Sequence, residues 1–482
     1  MSATMLTFRS QMPVSAEDAF AWHARDGAFE RLSPPWANVK VVEARGGIAP
    51  GDSKTLRIGA GPLGVRWTLK HESMSQGQGF VDEQQEGPFE SWRHVHKFIP
   101  ESKSSSILED QLTFQLPVGQ LGQLFGGKFV NKQLDELFRF RHDQTRHDLR
   151  CFAGAGTNIP KRVAITGASG LVGRHLKHFL QAGGVEVFSL VRGKATAEDQ
   201  ISWDPTQWTI DSARLEGMDA VIHLAGTSIA DGRWTPERKR SILQSRLDGT
   251  SLLSTTLAKL ENPPRVLVSA SAVGYYGDAG TTTLDESSPK GEGFLADVCD
   301  SWEKATIPAR HAGIRVITPR FGIVLSGAGG MLPLVSRPVR MGAGGPLGSG
   351  KQEMSWIALD DLLGILLEAV VNEDLAGPLN AVAPEPTSNG AFTKTLAHVL
   401  RRPSFFKVPA PVLRLVAGQL ADELLLVSQA AVPTKLQDVG FKFTFPTLES
   451  ALRHELGRYG GKGGVDDVES ASIGPASEGA SA

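Results

Sequence analysis

Gly167, Gly170 and Gly173 stand in GASGLVG, directly after the apolar run KRVAIT and at the start of the amphipathic stretch GLVGRHLKHFLQAG. That placement suits a strand-to-helix turn where a pyrophosphate needs close backbone approach, with Ser169, Leu171 and Val172 completing the turn. The next apolar run, VEVFSLV, ends in Val191-Arg192, with Lys194 nearby. An NAD-selective site would carry a carboxylate there for the ribose 2′-hydroxyl; an arginine instead favours a 2′-phosphate, so NADP(H) is the expected cofactor. A solvated surface arginine is the plainer alternative. Farther on, Thr235 and Pro236 open a helix rich in cations, RWTPERKRSILQSR. In the first 150 residues, Trp92, His94, His96 and Phe98 alternate on one strand face, and Trp67, Leu69 and His71 share a face of another. A three-histidine metal site is conceivable, but neutral histidines within an aromatic pocket are expected and no metal is assigned. Cys299 falls on a helix face and reads as core rather than nucleophile.

The elements that must position these groups fall into two blocks. Before residue 150 the order is strand, helices, many alternating strands and one long helix, an α+β helix-grip arrangement. Ser15 caps the first helix, and Phe125, Phe129, Leu134, Leu137 and Phe138 give the long helix an apolar face. From residue 161 strands and helices alternate, the pattern of an α/β Rossmann-type doubly wound parallel sheet with ligands at the carboxyl ends of its strands. CFAGAGTNIP, residues 151–160, is expected to link the two, and the Gly/Ser-rich tail from 457 to 482 to be disordered. The chain has 482 residues, enough for two or three cores. A net charge of −2 offers no basic footprint for nucleic acid or an anionic membrane, and small-molecule partners are the default. No run is long enough to span a bilayer, and two cysteines suit a reducing compartment; the expected location is the cytoplasm.

Residues 1–150, through AWHARDGAFERLSPPW, GPFESWRHVHKF and LFRFRHDQTRHDL, resemble the START-like (SRPBCC) domains fused ahead of some epimerase family proteins. The resemblance implies a deep apolar cavity for a lipophilic ligand. Residues 161–456 resemble the epimerase family of atypical extended short-chain dehydrogenase/reductases, through SASAVGYYG, PRFGIVL, GAGGPLGSGKQ, SWIALDDL and NAVAPEP. Residues 405–452 are similar to that family's carboxy-terminal helical extension. The HLAG element, His223 to Gly226, resembles the family's NLAG or NAAG; it implies Leu224, Ala225 and Gly226 against the cofactor, with His223 a structural histidine. The RWT…SR element implies that Arg246, and more weakly Ser241, reach toward the cofactor. Val324 would lie on the nicotinamide side and Ser271 would face the reacting carbon.

Ordinary members of that superfamily carry Tyr-x-x-x-Lys on the helix after the fifth strand, where the tyrosinate moves a proton. Here those positions are Leu295 and Cys299, counted back from Glu303. Tyr275 and Tyr276 are therefore the candidate proton donors, with plain aromatic turn residues as the alternative. Trp234, Arg320 and Trp356 are expected to shape the substrate side. Two functions follow: an NADP(H)-dependent oxidoreductase or epimerase acting on a small carbonyl or hydroxyl compound, sugar-like or lipophilic, or a catalytically lapsed NADP(H)-responsive protein whose amino-terminal domain binds a lipophilic ligand.

Overall fold

The computed structural model describes residues 3–59, 64–117, 119–459 and 469–473, and the side chains of all of these except 119–125 and 469–473. Two compact units divide the chain: Met1–Gly156 with Gln181–Gly184 and Arg453 onward, and Thr157–Leu180 with Val185–Leu452. No helix among the described residues is long and apolar enough to cross a membrane.

The first unit runs β1 (Thr4–Met12), α1 (Ala16–Ala24), α2 (Ala28–Arg31), β2 (Val39–Arg45), β3 (Ser53–Ile58), β4 (Val65–Ser75), β5 (Gly79–Glu86), β6 (Ser91–Ser102), β7 (Ser105–Gln115) and α3 (Gly119–Ala155). Its strands form an antiparallel meander, β2-β3-β4-β5-β6-β7, which β1 completes beside β7. Period-two alternation decides what faces inward: Trp92, His94, His96 and Phe98 of β6 are all buried, whereas Arg93 is exposed. Ser15 caps α1 as expected, accepting from the Asp18 amide at 3.1 Å.

Helix α3 lays Leu134 and Phe138 on the sheet, with Phe138 stacked 4.8 Å from Phe8. Two expectations about this helix are corrected. Phe129 is 68% exposed, because Val130, four residues before Leu134, occupies the inward row instead; a residue five before it is turned well away. Phe125 lies outside the residues whose side chains are described. The expected linker also begins too early: Cys151–Ala155 continues α3, and the helix ends at Gly156, whose φ of 55° suits a residue without a side chain. Residues 469–473, expected to be disordered, pair antiparallel with the outer edge of β1. An open strand edge offers backbone donors and acceptors that need no large apolar partner, so the polar composition of that segment does not forbid pairing. A cleft of about 920 Å³ in this unit is lined by Phe80, Val81 and Phe98 and also by Ser73, Gln76 and Lys97.

The second unit opens with β8 (Arg162–Thr166), α4 (Leu171–Ala182), β9 (Glu186–Arg192), β10 (Gln200–Asp204), β11 (Thr209–Ile210), β12 (Ala220–His223), α5 (Pro236–Leu257), β13 (Val266–Ser269), β14 (Ser271–Ala272), β15 (Thr283–Leu284), α6 (Phe294–Lys304), α7 (Ile307–His311) and β16 (Arg315–Phe321). Across the parallel sheet the order is β10-β9-β8-β12-β13-β16, followed by Gly377–Ala381, with β11 as an antiparallel edge. Val163, Ala164 and Ile165 of β8 and Val221 and Ile222 of β12 are fully buried, as strands covered on both faces must be. Strand order reverses between β8 and β12, which opens a crevice at their carboxyl ends. The region after Phe405 contributes helix Ala410–Ala417, the strand Ala430–Ala431 paired with β15, and the part of helix Leu448–Leu456 that precedes Arg453.

Candidate functional site

At the β8–β12 crevice the glycine turn has little room. Gly167 has a φ of 70°, and a Cβ there would sit 2.9 Å from the Ala225 amide nitrogen; one on Gly173 would lie 2.2 Å from the Gly167 carbonyl oxygen. These two glycines let the turn, α4 and the Leu224-Ala225 backbone come together. Gly170 differs: it is exposed, as is Ser169, and forms the rim of the turn at the start of α4, beside Leu171 and Val172. The first amides of that helix have no acceptor within it and carry the positive end of its dipole.

Thr166 fixes the opposite wall. Its Oγ1 accepts from the Leu224 and Ala225 amides, each at 3.1 Å, and lies 2.7 Å from His223 Nδ1. His223 Nε2 is 2.9 Å from Thr250 Oγ1, so this imidazole is bridged by two hydroxyls in the core. Burial, and then the charge of Arg246, push its pKa down to about 3 and keep it neutral. The reading of His223 as structural holds, and Thr166 is a positioning residue that the sequence did not single out.

Val191 is half-buried at the end of β9, while Arg192 and Lys194 are exposed; neither basic residue has an ion-pair partner among the described residues. Thr235 caps α5 through the Arg238 amide, with Pro236 in the first turn. Ser241 is exposed on that helix. Arg246 is half-buried: its Nη1 donates to the carbonyls of Thr227 and Ile242, each at 3.0 Å, and its guanidinium lies 4.8 Å from the centre of the Trp302 ring. No carboxylate neutralises it among the described residues, which leaves its remaining N–H groups suited to an anion. A Cβ on Gly330 would lie 3.4 Å from Leu171 Cδ2 and 3.6 Å from the Val324 carbonyl oxygen, so Val324 borders the helix-start side of the crevice.

Three of the expected catalytic and substrate residues, Ser271, Tyr276 and Arg320, meet in a buried polar network. β14 pairs with β16 so that Ser271 stands opposite Arg320. Ser271 donates to Glu303 Oε1 at 2.7 Å, and Arg320 holds the same carboxylate with two bonds, Nε to Oε1 at 2.8 Å and Nη2 to Oε2 at 2.9 Å. Arg320 Nη1 also donates to the Tyr276 hydroxyl at 3.0 Å, which itself lies 2.7 Å from Asn380 Oδ1. Burial opposes the charge on Arg320, but the hydrogen bonds and charge of Glu303 outweigh it and raise its pKa.

Four expectations change accordingly. Ser271 is 2% exposed with its proton committed to Glu303, so in this arrangement it does not offer a hydrogen bond to a reacting oxygen. Tyr276 is buried with its hydroxyl held by Arg320 and Asn380, so in this arrangement it is not offered to a substrate. Arg320, also 2% exposed, is locked in the ion pair and does not shape a substrate surface. Trp356 is 1% exposed and donates its indole N–H to the Glu385 carbonyl at 3.2 Å, making it core. Trp234 is half-buried, with its indole N–H on the Ile229 carbonyl and its ring edge against Phe294. Its neighbour Arg233 ties this loop to the carbonyls of Leu415 and Val416 in the carboxy-terminal region.

Tyr275 remains. It is half-buried, and the Arg320 guanidinium lies 3.5 Å from the centre of its ring. Leu295 and Cys299, at the positions of the absent pair, are buried, and burial, then the charge of Glu303, drives the Cys299 thiol up to about 11. Such a thiol carries almost no nucleophilic thiolate at neutral pH. Leu295, Cys299 and Glu303 recur at four-residue spacing, so Glu303 extends the same face of α6 into the network.

Residues 163–380 match the NAD dependent epimerase/dehydratase family, 408–455 a domain of unknown function, and 12–139 the polyketide cyclase/dehydrase and lipid transport family. An epimerase family protein of Mycobacterium bovis is 39% identical over 62% of this chain and 98% of its own length. The crystal structure of a nucleoside-diphosphate sugar epimerase from Corynebacterium glutamicum is 35% identical, with a TM-score of 0.77 over 94% of this chain and 90% of that one. The human epimerase family protein SDR39U1, crystallised with NADPH, is 34% identical, with a TM-score of 0.57 over 61% of this chain and 98% of that one. A Rossmann-type NAD(P)-binding unit with the carboxy-terminal extension, preceded by a helix-grip unit, thus places the chain among the epimerase family proteins.

Proposed function

We propose that the second unit binds NADP(H) and acts as an oxidoreductase or epimerase on a small carbonyl or hydroxyl compound. The observation that carries the cofactor choice is the exposed Arg192 without an ion-pair partner at the end of β9, where an NAD-selective site would present a carboxylate. The NADPH in the human relative's crystal supports the same choice. Gly167, Gly170 and Gly173 with the start of α4 would receive the pyrophosphate, Arg192 and Lys194 the 2′-phosphate, and Leu224 to Gly226 the adenosine side. The bound cofactor would supply or accept hydride at the reacting carbon.

Within this reading the chain's own task is to hold the substrate and move a proton. Tyr275 is the phenol left for that step, since Tyr276 is enclosed and neither Leu295 nor Cys299 can act. The Arg320 guanidinium over its ring holds the phenol in place. The enclosure of Ser271 and Tyr276 favours a second reading, in which catalysis has lapsed and the unit responds to NADP(H) as a binding protein.

Fluorescence titration of the full chain with NADPH and NADH tests the cofactor assignment. NADPH should bind about 10- to 100-fold more tightly, from a charge-assisted pair of roughly 1.5–3 kcal/mol, and Arg192→Ala should remove that preference. Equal affinities would reject it. In a screen of carbonyl and alcohol substrates with NADP(H), Tyr275→Phe should lower any turnover at least about tenfold. NADPH binding with no turnover across the screen would establish the binding-protein reading instead.

A further inference from the structure

The interior of the first unit holds charge that its aromatic surroundings do not explain. Strand register sets Asp82 of β5 opposite His94 of β6, and His96 of β6 opposite Asp110 of β7, all on the inner face. All four are buried, Asp82 at 6% exposure. Asp82 Oδ2 lies 3.2 Å from His94 Nδ1 and 3.4 Å from His96 Nε2. On the far side of the two rings, Asp110 Oδ1 lies 3.2 Å from His94 Nε2 and 2.7 Å from His96 Nδ1. Asp110 Oδ2 lies 2.9 Å from Nε2 of His142, whose Nδ1 is 2.9 Å from the Ser10 hydroxyl. Asp82 Oδ1 is buried with no hydrogen-bond partner.

We infer that Asp82, His94 and His96 form a binding site for a divalent transition-metal ion, with Asp110 holding the histidines from behind. Tautomer bookkeeping gives the reason. When His94 donates its Nε2–H to Asp110, its Nδ1 turns a lone pair toward Asp82 Oδ2. A buried carboxylate facing imidazole nitrogens at these separations calls for positive charge among them, which a metal ion bound by both rings supplies and which a second proton on His94 would otherwise supply. One ligand atom from each of the three residues lies within 4.8 Å of the other two. In a tetrahedral site with bonds of about 2.0–2.1 Å, neighbouring ligand atoms are about 3.3–3.4 Å apart, which agrees with the two Asp82 separations. Two nitrogens and one carboxylate oxygen suit Zn²⁺ and similar ions better than Ca²⁺ or Mg²⁺, which favour oxygen-rich shells. A fourth position would remain for water or a ligand atom. Asp110 then supplies the outer hydrogen bond that orients the His94 imidazole and lies close to His96 Nδ1, with His142 holding Asp110 in turn. The histidine triplet weighed from sequence thus resolves differently: the third ligand is Asp82, from the neighbouring strand, in place of His71.

The test uses the full-length chain, dialysed against chelator and titrated with Zn²⁺ and, separately, Co²⁺. The site should take up one equivalent of Zn²⁺, and Co²⁺ should develop the intense visible bands of four-coordinate nitrogen and oxygen ligation. Asp82→Asn and His96→Gln should each weaken Zn²⁺ binding at least about 100-fold, and Asp110→Asn about 10- to 100-fold, the range for an outer-shell partner. Circular dichroism establishes whether each variant remains folded; where one does not, the Co²⁺ spectrum of the unaltered protein decides. Failure of the unaltered chain to bind Zn²⁺, a six-coordinate Co²⁺ spectrum, or unchanged affinity in folded Asp82→Asn would overturn the assignment.

Discussion

Replacing Glu303 by glutamine would leave the Arg320 guanidinium buried without its counter-charge. The two side chains are 14% and 2% exposed, and the pair makes two hydrogen bonds of 2.8 and 2.9 Å. Breaking a buried pair by neutralising one member costs about 3–5 kcal/mol, most of it from the charge left behind. Glu303→Gln should therefore destabilise the second unit by about that amount, as should Arg320→Met. Combining Glu303→Gln with Arg320→Met removes both charges together, so the double variant should lose less than the sum of the singles by about 2–4 kcal/mol. Because the chain has two units, a single unfolding curve would mix their transitions. Native-state hydrogen exchange resolved to peptides from β13 and β16 isolates the relevant one. The buried-pair account fails if Glu303→Gln costs less than about 1 kcal/mol, or if the single effects simply add.

Gly170→Val should abolish NADPH binding without unfolding the second unit, because Gly170 is exposed at the rim of the turn and a branched side chain there obstructs the approach of a pyrophosphate; fluorescence titration and circular dichroism check the two halves of that statement. Acid should destabilise the second unit through His223, whose pKa is near 3 when folded and about 6.5 when unfolded. With the folded value depressed, stability is complete above pH 6.5 and falls as pH drops toward 3, by about 2 kcal/mol at pH 5. His223→Asn, compared at pH 7 and 5 by hydrogen exchange in β8 and β12, should show a smaller loss. Alkylation of Cys299 at neutral pH should be slow in the folded chain and become fast on denaturation, as its elevated pKa and burial require.

What could be read from sequence was local. KRVAIT followed by GASGLVG gives a strand, a turn and a helix in one continuous segment, so the spacing of Gly167, Gly170 and Gly173 already implied a tight turn open to close backbone approach, though not that Gly167 would lie against Leu224 and Ala225. Alternation along β6 likewise put His94 and His96 on one buried face before any partner strand was known. Thr166 and His223 were harder to read, since their hydrogen bond joins residues 57 positions apart.

Where sequence reasoning failed, the deciding contacts came from distant segments. Ser271 looked available because its strand end belongs at a site; only the pairing of β14 with β16, and α6 beside them, turned its proton to Glu303 and closed Arg320 over Tyr276. Glu303 had served as a landmark for counting, yet it sits at the centre of the network. In the first unit, alternation could orient His94 and His96 but could not reveal that strand register would bring Asp82 and Asp110 to either side of them. Helical periodicity put Phe129 on the apolar face, whereas the sheet selected the row of Val130, Leu134 and Phe138. Sequence fixes which way a side chain points along its own element, because that depends on local backbone geometry. Which charges it then meets, and whether its proton remains available, depends on register and packing between segments far apart in the chain, which here only the tertiary structure decided.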